Sequence, residues 1–592
     1  MKNNITRIFQ IEQAIRKFDS DCVVAGKENG SWKKYSAKEF IQWTDALAYG
    51  LINLGIKKGD RVSIISVNRP EWMLVDMGIA KMTAVNNPIY ANITTKDYEY
   101  ILKDSGARIV FVGSKEIYDK IKDIAKESPT IEAVYSFDKI EGVPHWTELA
   151  ELGKSNPQPS QVKAWQVETS EDDLFTLIYT SGTTGNPKGV MLSHRNILCQ
   201  LDALEYAFPF GPNDKSLSFL PLCHSFQRVL EYYTLKKGTQ IYYAESIETL
   251  AENMKEVSPT VMATVPRLLE KVYDKIYAKG SDLKGIKKTL FFWALNLGLK
   301  HEYNGAKGAW YNWQLKIANK LIFSKWREAF GGQMTYVISG AAALQTRLCR
   351  VFNAAQIPIY EGYGLSETSP VISANTPGEH MYGTVGPVIK DVEVKIAEDG
   401  EIFCKGPNVM LGYYNLDEKT QETIKDGWLA TGDIGEIIDG KFLKITDRKK
   451  EIFKTSGGKY IAPQVLENKL KESKFIEQLM VVGEGEKFPS ALLIPSFEVV
   501  KKWCKTQHID FTDNQSLVNN PQVVQRIKKE VHHYNLEFAN YQQIKKFKIL
   551  ADVWSIDGGE LTPTLKMKRR VIHKRYSDII KNFYSNGKVA AQ

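Results

Sequence analysis

The sequence predicts an α/β fold with a large N-terminal domain of several subdomains and a small, mobile C-terminal α+β lid. Its 592 residues are more than one compact domain ordinarily holds. Short β-rich segments alternate with amphipathic helical segments through the first half, which is typical of parallel sheets covered by helices. A charged run at 447–450 separates this pattern from a smaller α+β segment. We therefore predict domains at 1–446 and 447–592, with a hinge at 447–450.

Hydrophobic periodicity gives the order of the elements in the N-terminal domain. The predicted helices are at 37–54, 70–81 and 115–127, and the predicted strands are at 61–67, 107–113, 131–136, 174–179, 240–243 and 260–264. Between 385 and 445, apolar runs separated by turn residues predict β-hairpin strands at 393–397, 401–405, 435–438 and 441–445. We expect these hairpins to form a β-barrel-like subdomain.

Composition and charge exclude several classes of protein. Apolar residues make up 43% and charged residues 25% of the chain, as in globular and not in disordered proteins. The six cysteines show no metal-ligand spacing, which argues against a structural zinc site and fits a reducing cytoplasm. The diffuse net charge of +9 favours anionic small molecules or acidic lipid over nucleic acid. With neither an apolar signal segment nor a membrane span, the sequence predicts a soluble cytoplasmic protein.

The segment at 280–330 is helical, basic and rich in tryptophan. Trp310, Trp313, Ile317 and Leu321 recur at helical spacing, with lysines between them. Such a helix can lie on an anionic membrane surface, here the inner face of the membrane. The alternative is that the apolar stripe packs on the core, which is the commoner role of such stripes. We expect core packing and keep peripheral membrane contact as the alternative.

A loop of glycine and hydroxyl residues follows the predicted strand 174–179. Its sequence at 180–189 is TSGTTGNPKG. Small residues leave backbone N–H groups accessible, so that the loop can surround a polyphosphate, and the lysine adds positive charge. The order is not that of a Walker A loop, because proline and glycine flank this lysine. The predicted phosphate contacts are Thr180, Ser181, Gly182, Thr183, Thr184, Gly185 and Lys188.

Five segments in order resemble motifs of the adenylate-forming (AMP-forming) ANL superfamily, which includes acyl-CoA synthetases, luciferases and peptide-synthetase adenylation domains. They are YTSGTTGNPKGVMLSH at 179–194, YEGYGLSET at 360–368, TGD at 431–433, DRKK at 447–450 and LTPTLKMKR at 561–569. The resemblance covers nearly the whole chain. It implies that a carboxylate reacts with MgATP to give an acyl-AMP and pyrophosphate, a step that needs positioning and neutralisation of charge.

The resemblance implies roles for the residues of the second motif. Tyr363 would stack on adenine, Ser366 would contact the α-phosphate, and Glu367 with Thr180 would hold Mg²⁺ through oxygen ligands. The remaining residues expected around the nucleotide are Gly340, Ala341, Ala342, Glu361, Gly362 and Gly364.

The resemblance implies that the three later motifs supply the ribose contacts, the hinge and the catalytic lysine. Asp433 would accept hydrogen bonds from the ribose, with Arg448 beside it. Lys566 would bridge the carboxylate and the α-phosphate, with Lys568 as the alternative register. Lys450 would be the hinge residue.

A loop after the hinge would serve the second half of the reaction. Lys454 is expected to be catalytic there. The glycines Gly457 and Gly458 would let the loop approach coenzyme A closely.

The segment LPLCHSFQRV at 220–229 resembles the acyl-site motif of the long-chain fatty-acid branch of this superfamily. His224 would then lie near the acyl carboxylate, or it would be structural. The expected function is ATP-dependent activation of a long-chain fatty acid followed by transfer to coenzyme A. The alternatives are an acyl-AMP ligase that loads a carrier protein and a non-catalytic lipid or nucleotide sensor of the same fold.

Overall fold

The computed structural model describes residues 5–180, 186–303, 307–555, 558–562 and 566–585. The strands within these residues are β1 (Val24–Glu28), β2 (Ser31–Tyr35), β3 (Arg61–Ile65), β4 (Val85–Ile89), β5 (Ile109–Val112), β6 (Ala133–Ser136), β7 (Leu174–Thr180), β8 (Lys188–Ser193), β9 (Lys215–Ser218), β10 (Gln240–Tyr243), β11 (Val261–Thr264), β12 (Tyr336–Ser339), β13 (Ile359–Gly364), β14 (Val371–Ala374), β15 (Glu393–Ile396), β16 (Glu401–Lys405), β17 (Gly412–Tyr413), β18 (Ile424–Lys425), β19 (Trp428–Ile438), β20 (Phe442–Arg448), β21 (Phe453–Lys454), β22 (Tyr460–Ile461), β23 (Ile476–Val482), β24 (Ser490–Pro495) and β25 (Lys546–Ile549).

The helices cover both large sheets and most of the C-terminal part. They are α1 (Glu12–Phe18), α2 (Ala37–Asn53), α3 (Pro70–Lys81), α4 (Thr95–Ser105), α5 (Lys115–Glu127), α6 (Trp146–Ser155), α7 (Pro159–Glu168), α8 (His194–Ala207), α9 (Ser225–Lys237), α10 (Leu250–Val257), α11 (Pro266–Asp282), α12 (Gly285–Leu299), α13 (Gly308–Ala318), α14 (Ser324–Ala329), α15 (Thr346–Ala354), α16 (Asp417–Thr423), α17 (Pro463–Leu470), α18 (Phe497–Thr506), α19 (Asn514–Asn519), α20 (Pro521–Asn535), α21 (Arg569–Arg575) and α22 (Ser577–Tyr584). Short 3₁₀ helices occupy Ile8–Ile11 and Ser366–Thr368, and a π-helical turn occupies Asn319–Phe323.

Two large sheets form the N-terminal part. One has seven strands in the order β17-β8-β7-β4-β3-β5-β6, and the other has eight in the order β14-β13-β12-β11-β9-β10-β1-β2. The interior strands are parallel, whereas antiparallel strands lie at the edges. Alternation along β11 shows how one sheet serves two cores: Val261 and Ala263 face a core shared with the seven-stranded sheet, and Met262 faces α12 and α15.

A smaller third sheet and a separate C-terminal core complete the fold. The third sheet pairs β15, β16, β19 and β18, with β20 added beside β19. The C-terminal part has its own core, in which β23 and β24 pack with α17 and α20 through residues such as Leu466, Leu479, Leu493 and Ile527. The predicted α/β fold with a large N-terminal and a small C-terminal part is confirmed. The strand predicted at 435–438 is longer than expected, because pairing with β16, β18 and β20 extends it over Trp428–Ile438.

The helical stripe at 310–321 differs from the prediction of core packing. Trp310, Trp313 and Leu321 are 67%, 53% and 51% exposed, whereas Phe323 and Trp326 are buried. The inward side of α13 is the one that carries Tyr311 and Ala318, so Trp310 and Trp313 on its other side face outward. The π-helical turn Asn319–Phe323 then contains an extra residue and changes the rotation of α14 relative to α13. Among the described helices, none is both long and apolar enough to cross a membrane.

Candidate active site

A cavity of about 1470 Å³ lies between the two large sheets and the C-terminal part. It opens at the carboxyl ends of β7, β12 and β13, where ligands bind in sheets of parallel strands. Most of the predicted site residues that the structure describes line it. They are Thr180, Lys188, His224, Gly340, Ala341, Ala342, Gly362, Tyr363, Gly364, Ser366, Glu367, Asp433, Arg448, Lys450 and Lys566. Ser181, Gly182, Thr183, Thr184 and Gly185 lie outside the described residues.

The structure describes the two strands that flank the predicted phosphate loop, β7 and β8. Thr180 at the end of β7 is paired with Lys188 at the start of β8. The two strands form an antiparallel hairpin, so the residues on both sides of the loop meet at the cavity. Burial lowers the pKa of Lys188, and the nearby charges of Lys419 and Lys450 lower it further. A bound anion would relieve this repulsion.

The end of β13 gives one wall of the cavity its shape. At Gly364 a Cβ atom would lie 1.7 Å from the carbonyl oxygen of Pro370, so only glycine fits where the chain turns back into β14. The preceding residue, Tyr363, lines the cavity, and its hydroxyl donates a hydrogen bond of 2.8 Å to Asp433 Oδ2. This bond joins the eight-stranded sheet to β19.

Asp433 is a buried acceptor beside a cation. It is 4% exposed and is paired across β19 and β20 with Arg448, whose Nε lies 3.4 Å from Oδ1. Burial raises the pKa of Asp433, and the adjacent guanidinium opposes that rise. A carboxylate held in this way can accept hydrogen bonds from neighbouring hydroxyl groups.

Glu367 projects from the short helix Ser366–Thr368 into the cavity. Its Oε1 accepts a hydrogen bond of 2.9 Å from the hydroxyl of Tyr413. The Nζ atom of Lys188 lies 4.8 Å from the centre of the same Tyr413 ring. Tyr413 thus holds the carboxylate and the cation on one wall of the cavity, a contribution that the motifs did not reveal.

Lys566 enters the cavity from the C-terminal part. Two hydrogen bonds to Thr562 hold its backbone: Thr562 N donates to Lys566 O at 2.8 Å, and Lys566 N donates to Thr562 Oγ1 at 3.0 Å. Burial lowers the pKa of Lys566 to about 8, and the charge of Arg448 adds to the effect. The ammonium group in turn acts on Asp433 and His224, whereas Lys568 is exposed.

His224 caps the N-terminus of α9. Its Nδ1 accepts a hydrogen bond from Phe226 N at 3.2 Å, so the neutral ring carries its proton on Nε2. Burial lowers its pKa to about 4, with a further contribution from Lys566. His224 is therefore a neutral hydrogen-bond donor at pH 7.

A buried polar network positions the helix that carries His224. Arg228 binds Asp76 of α3 at 2.5 Å and donates to Thr176 of β7 at 2.6 Å, and both ionic side chains are almost completely buried. The hydroxyl of Tyr232 also donates to Asp76, at 2.6 Å. The sequence motif contained Arg228, but its structural role was not predicted.

Part of the cavity lining is apolar. Helices α8 and α9 contribute small and branched side chains, and the strands contribute Ile338 and Val371. The helical residues are Ala203, Leu204, Ala207, Val229 and Leu230. The alanines lie one helical turn apart and leave open space. The spacing of Ala203 and Ala207 was the sequence signal that could have located this apolar part of the lining.

Four predicted site residues do not line this cavity. Lys454 at the end of β21 is exposed, and its Nζ lies 5.0 Å from the ring centre of Tyr460; Gly457 and Gly458 are exposed in the turn between β21 and β22. For Glu361 the structure differs from the prediction of a nucleotide contact. Its side chain is buried beside Cys349, away from the cavity, and this burial raises its pKa to about 8.

Comparison with known proteins assigns the family. The AMP-binding enzyme family matches residues 11–414, and the AMP-binding enzyme C-terminal domain matches 450–588. The chain is 32% identical to long-chain-fatty-acid–CoA ligase FadD15 of Mycobacterium bovis over 94% of this chain and 93% of that protein. It is 31% identical to long-chain-fatty-acid–CoA ligase 1 of Homo sapiens over 96% of this chain and 85% of that protein.

The fold is also that of a solved adenylation domain. The adenylation domain of a carboxylate reductase from Mycobacterium chelonae superposes with a TM-score of 0.79 at 19% identity, over 99% of this chain and 92% of that one. Together with the two family matches along the sequence, this shows that the chain belongs to the AMP-binding enzyme family.

Proposed function

We propose that this protein is a long-chain fatty acid–CoA ligase that forms acyl-AMP from a fatty acid and ATP and then transfers the acyl group to coenzyme A. The observation that carries the proposal is one cavity lined by Lys566, by the Tyr363–Asp433 pair and by apolar residues of α8 and α9. The relatives at 31–32% identity that carry the same activity in their names support it.

In the first step, a carboxylate oxygen of the fatty acid attacks the α-phosphorus of ATP. A bond forms between that oxygen and phosphorus, and the bond to pyrophosphate breaks. Both reactants are anionic, so a cation between them lowers the barrier. Lys566 supplies it, since a pKa of about 8 leaves its side chain mostly protonated at pH 7.

The nucleotide would lie along the wall formed by β13 and β19. Tyr363 would stack on adenine opposite the backbone of 340–342, and Asp433 and Arg448 would bind the ribose. Ser366 would contact the α-phosphate. The loop at 180–188 would surround the β- and γ-phosphates, with Lys188 relieved of its cationic neighbours' repulsion.

The donor set suits a magnesium ion bound with the nucleotide. Mg²⁺ prefers one or two protein oxygens together with phosphate oxygens, and Glu367 and Thr180 are an oxygen pair at the cavity wall. The ion would neutralise phosphate charge. The chain's own contribution is to hold the Glu367 carboxylate in place through Tyr413.

The apolar lining residues of α8 and α9 would receive the acyl chain. Each buried methylene contributes about 0.8 kcal/mol, so an open apolar channel favours longer acids. We expect Ala207→Trp to shift the preferred acid to shorter chains. Competition between acids of different length, read by mass spectrometry, measures the shift, and an unchanged preference would remove α8 from the acyl site.

The second step requires the C-terminal part to move. We propose domains at 1–446 and 447–592 that rotate about 447–450, bringing Lys454, Gly457 and Gly458 to the cavity as Lys566 leaves. The coenzyme A thiolate then attacks the acyl carbonyl carbon, forming the C–S bond as the bond to AMP oxygen breaks. The exposed turn and the separate core of the C-terminal part support this proposal.

We also assign the enzyme to the cytoplasm, where ATP and coenzyme A are available. The six cysteines, all free in the structure, agree with a reducing compartment.

The test is a reaction of the full chain with Mg²⁺, ATP, coenzyme A and a mixture of short, medium, long and aromatic acids. We expect long-chain acyl-CoA and AMP as the products seen by mass spectrometry. Acyl-AMP without thioester would indicate a carrier-loading ligase instead. No product from any acid would indicate a non-catalytic sensor.

A further inference from the structure

The strongest feature outside the active site is an exposed aromatic and basic surface on α13 and the turn after it. We call it the tryptophan face and define it by Trp310, Trp313, Lys316, Lys320 and Leu321. The two indole rings stack in parallel, with centroids 4.9 Å apart and planes at 15°. Both are more than half exposed. Two stacked, exposed indole rings form an apolar patch that is unusual on a surface in contact only with water, and such patches mark interaction sites.

The spacing of these residues puts them on one side of the helix. Residues three, four and seven apart share a face, so Trp310, Trp313 and Lys320 lie together, with Lys316 and Leu321 at its borders. The opposite side of the helix packs inward: Ala318 is buried, and the hydroxyl of Tyr311 donates to Leu297 O at 2.8 Å. The helix is therefore anchored on the protein while its tryptophans point outward.

The charge around the face is one-sided. Residues 282–328 contain nine lysines and arginines and three acidic residues, and each of these acids is paired: Asp282 with Lys502, Glu302 with Arg350 and Glu328 with Lys325. In the described part of the chain, neither Lys316 nor Lys320 pairs with a carboxylate. The cations of the face are thus available to a negatively charged partner.

We infer that the tryptophan face docks the protein on the surface of an anionic lipid bilayer. Indole rings favour the boundary between headgroups and acyl chains, while lysines beside them attract acidic headgroups. A bilayer matches both features over one face of a helix that lies parallel to its plane. The inference concerns binding of the protein itself and does not depend on the proposed reaction.

The direct test is co-sedimentation of the full chain with vesicles, without ATP, acid or coenzyme A. Vesicles of phosphatidylglycerol and phosphatidylcholine are compared with vesicles of phosphatidylcholine alone. We expect binding to the anionic vesicles that weakens as salt is raised, because the cations are exposed and screened by ions. Absence of binding at low salt would overturn the inference.

Variants identify the face responsible. Trp310→Ala with Trp313→Ala should weaken binding at least ~10-fold, and Phe at both positions should restore most of it. Lys316→Gln with Lys320→Gln should weaken it ~25-fold, from about fivefold per lysine near an anionic surface. The matched control is Lys126→Gln with Lys139→Gln, two exposed lysines elsewhere in the chain, which should bind nearly as the parent does.

Two further outcomes would decide against the inference. If the control pair weakens binding as much as Lys316→Gln with Lys320→Gln, the attraction is general charge and not this face. If the alanine pair at 310 and 313 instead converts a dimer to a monomer in analytical ultracentrifugation, the face is an interface between two copies of the chain. Circular dichroism and the vesicle-free activity on a short acid establish that each variant is folded.

Discussion

The two walls of the active-site cavity are held in place by different forces. On the N-terminal side, the site residues follow strands of two large sheets, and a network with no access to water, Arg228 with Asp76 and Thr176, fixes the helix of His224. On the C-terminal side, the backbone of Lys566 is held by two hydrogen bonds to Thr562. The C-terminal part meets the N-terminal part through partly exposed polar contacts, among them Arg267 with Glu477 and Gln345 with the carbonyl of Lys471.

This difference suits a site in which one wall is permanent and the other is exchanged. Desolvated ion pairs with several hydrogen bonds are costly to break, whereas partly exposed ones contribute little. In the proposed rotation, the buried wall would stay preformed while Lys566 is withdrawn at small cost. The following predictions test each wall in turn.

The largest effect is expected in the permanent wall. Arg228→Met leaves Asp76 buried without its cation and should lower the free energy of unfolding by about 3–5 kcal/mol. Urea denaturation of the N-terminal transition measures it. Arg195→Met is the matched control, since Arg195 pairs with Glu171 and Asp172 at the surface. Equal losses in both variants would mean that the network does not stabilise this wall.

Removing the side chain of Lys566 should slow adenylation without lowering the stability of the fold. Lys566→Ala should slow ATP–pyrophosphate exchange by about 10²–10³-fold, the usual cost of losing a group that stabilises transition-state charge. Thioester formation from supplied acyl-AMP should be largely retained, because the proposed rotation would withdraw Lys566 from the cavity before that step. Lys568→Ala serves as the control. A larger loss in the control would transfer the role to Lys568.

The lowered pKa of Lys566 predicts that the rate of adenylation depends on pH. Burial lowers the pKa of Lys566 to about 8, so its cationic form is complete below that pH and is lost above it. The kcat/KM for adenylation should fall about tenfold between pH 7 and pH 9. Lys566→Arg, whose guanidinium stays charged, should be less active but lack this fall. A parallel fall in the arginine variant would assign the ionisation to another group.

The smallest effect is expected at the contact between the two parts. Glu477→Gln removes the charge that Arg267 meets and should reduce the adenylation rate by about two- to fivefold, because an exposed pair is worth under about 1 kcal/mol. The thioester step should be unchanged or faster. Glu379→Gln, which breaks the surface pair with Lys441 inside the N-terminal part, should leave both steps unaltered. Stopped-flow assays of each half-reaction distinguish these results.

Much of the fold could be predicted because local patterns determine its elements. The helix predicted at 70–81 begins at Pro70 and occupies the same residues, since proline favours the first helical position and the following side chains are buried. Periodicity also located β7. It could not give the order of strands in the sheets, which depends on pairings between distant segments.

Site residues that belong to a sequence motif could be predicted, whereas the contacts and orientations that depend on tertiary packing could not. Tyr363, Glu367 and Asp433 were expected and line the cavity. Tyr413 was not, because a lone tyrosine outside any motif gives no signal of the hydrogen bond it makes to Glu367. Glu361 belongs to a motif, but its side chain is buried beside Cys349 and does not line the cavity, which the motif alone does not reveal.

The π-helical turn at Asn319–Phe323 has a consequence for how this surface can evolve. Such a turn contains one residue more than an α-helical turn, and each residue accounts for about 100° of rotation. Deleting a single amino acid there would turn α13 by that angle relative to α14 and bring different residues outward. One codon of insertion or deletion could therefore hide or display the stacked indoles without any substitution among them, and without altering the active site.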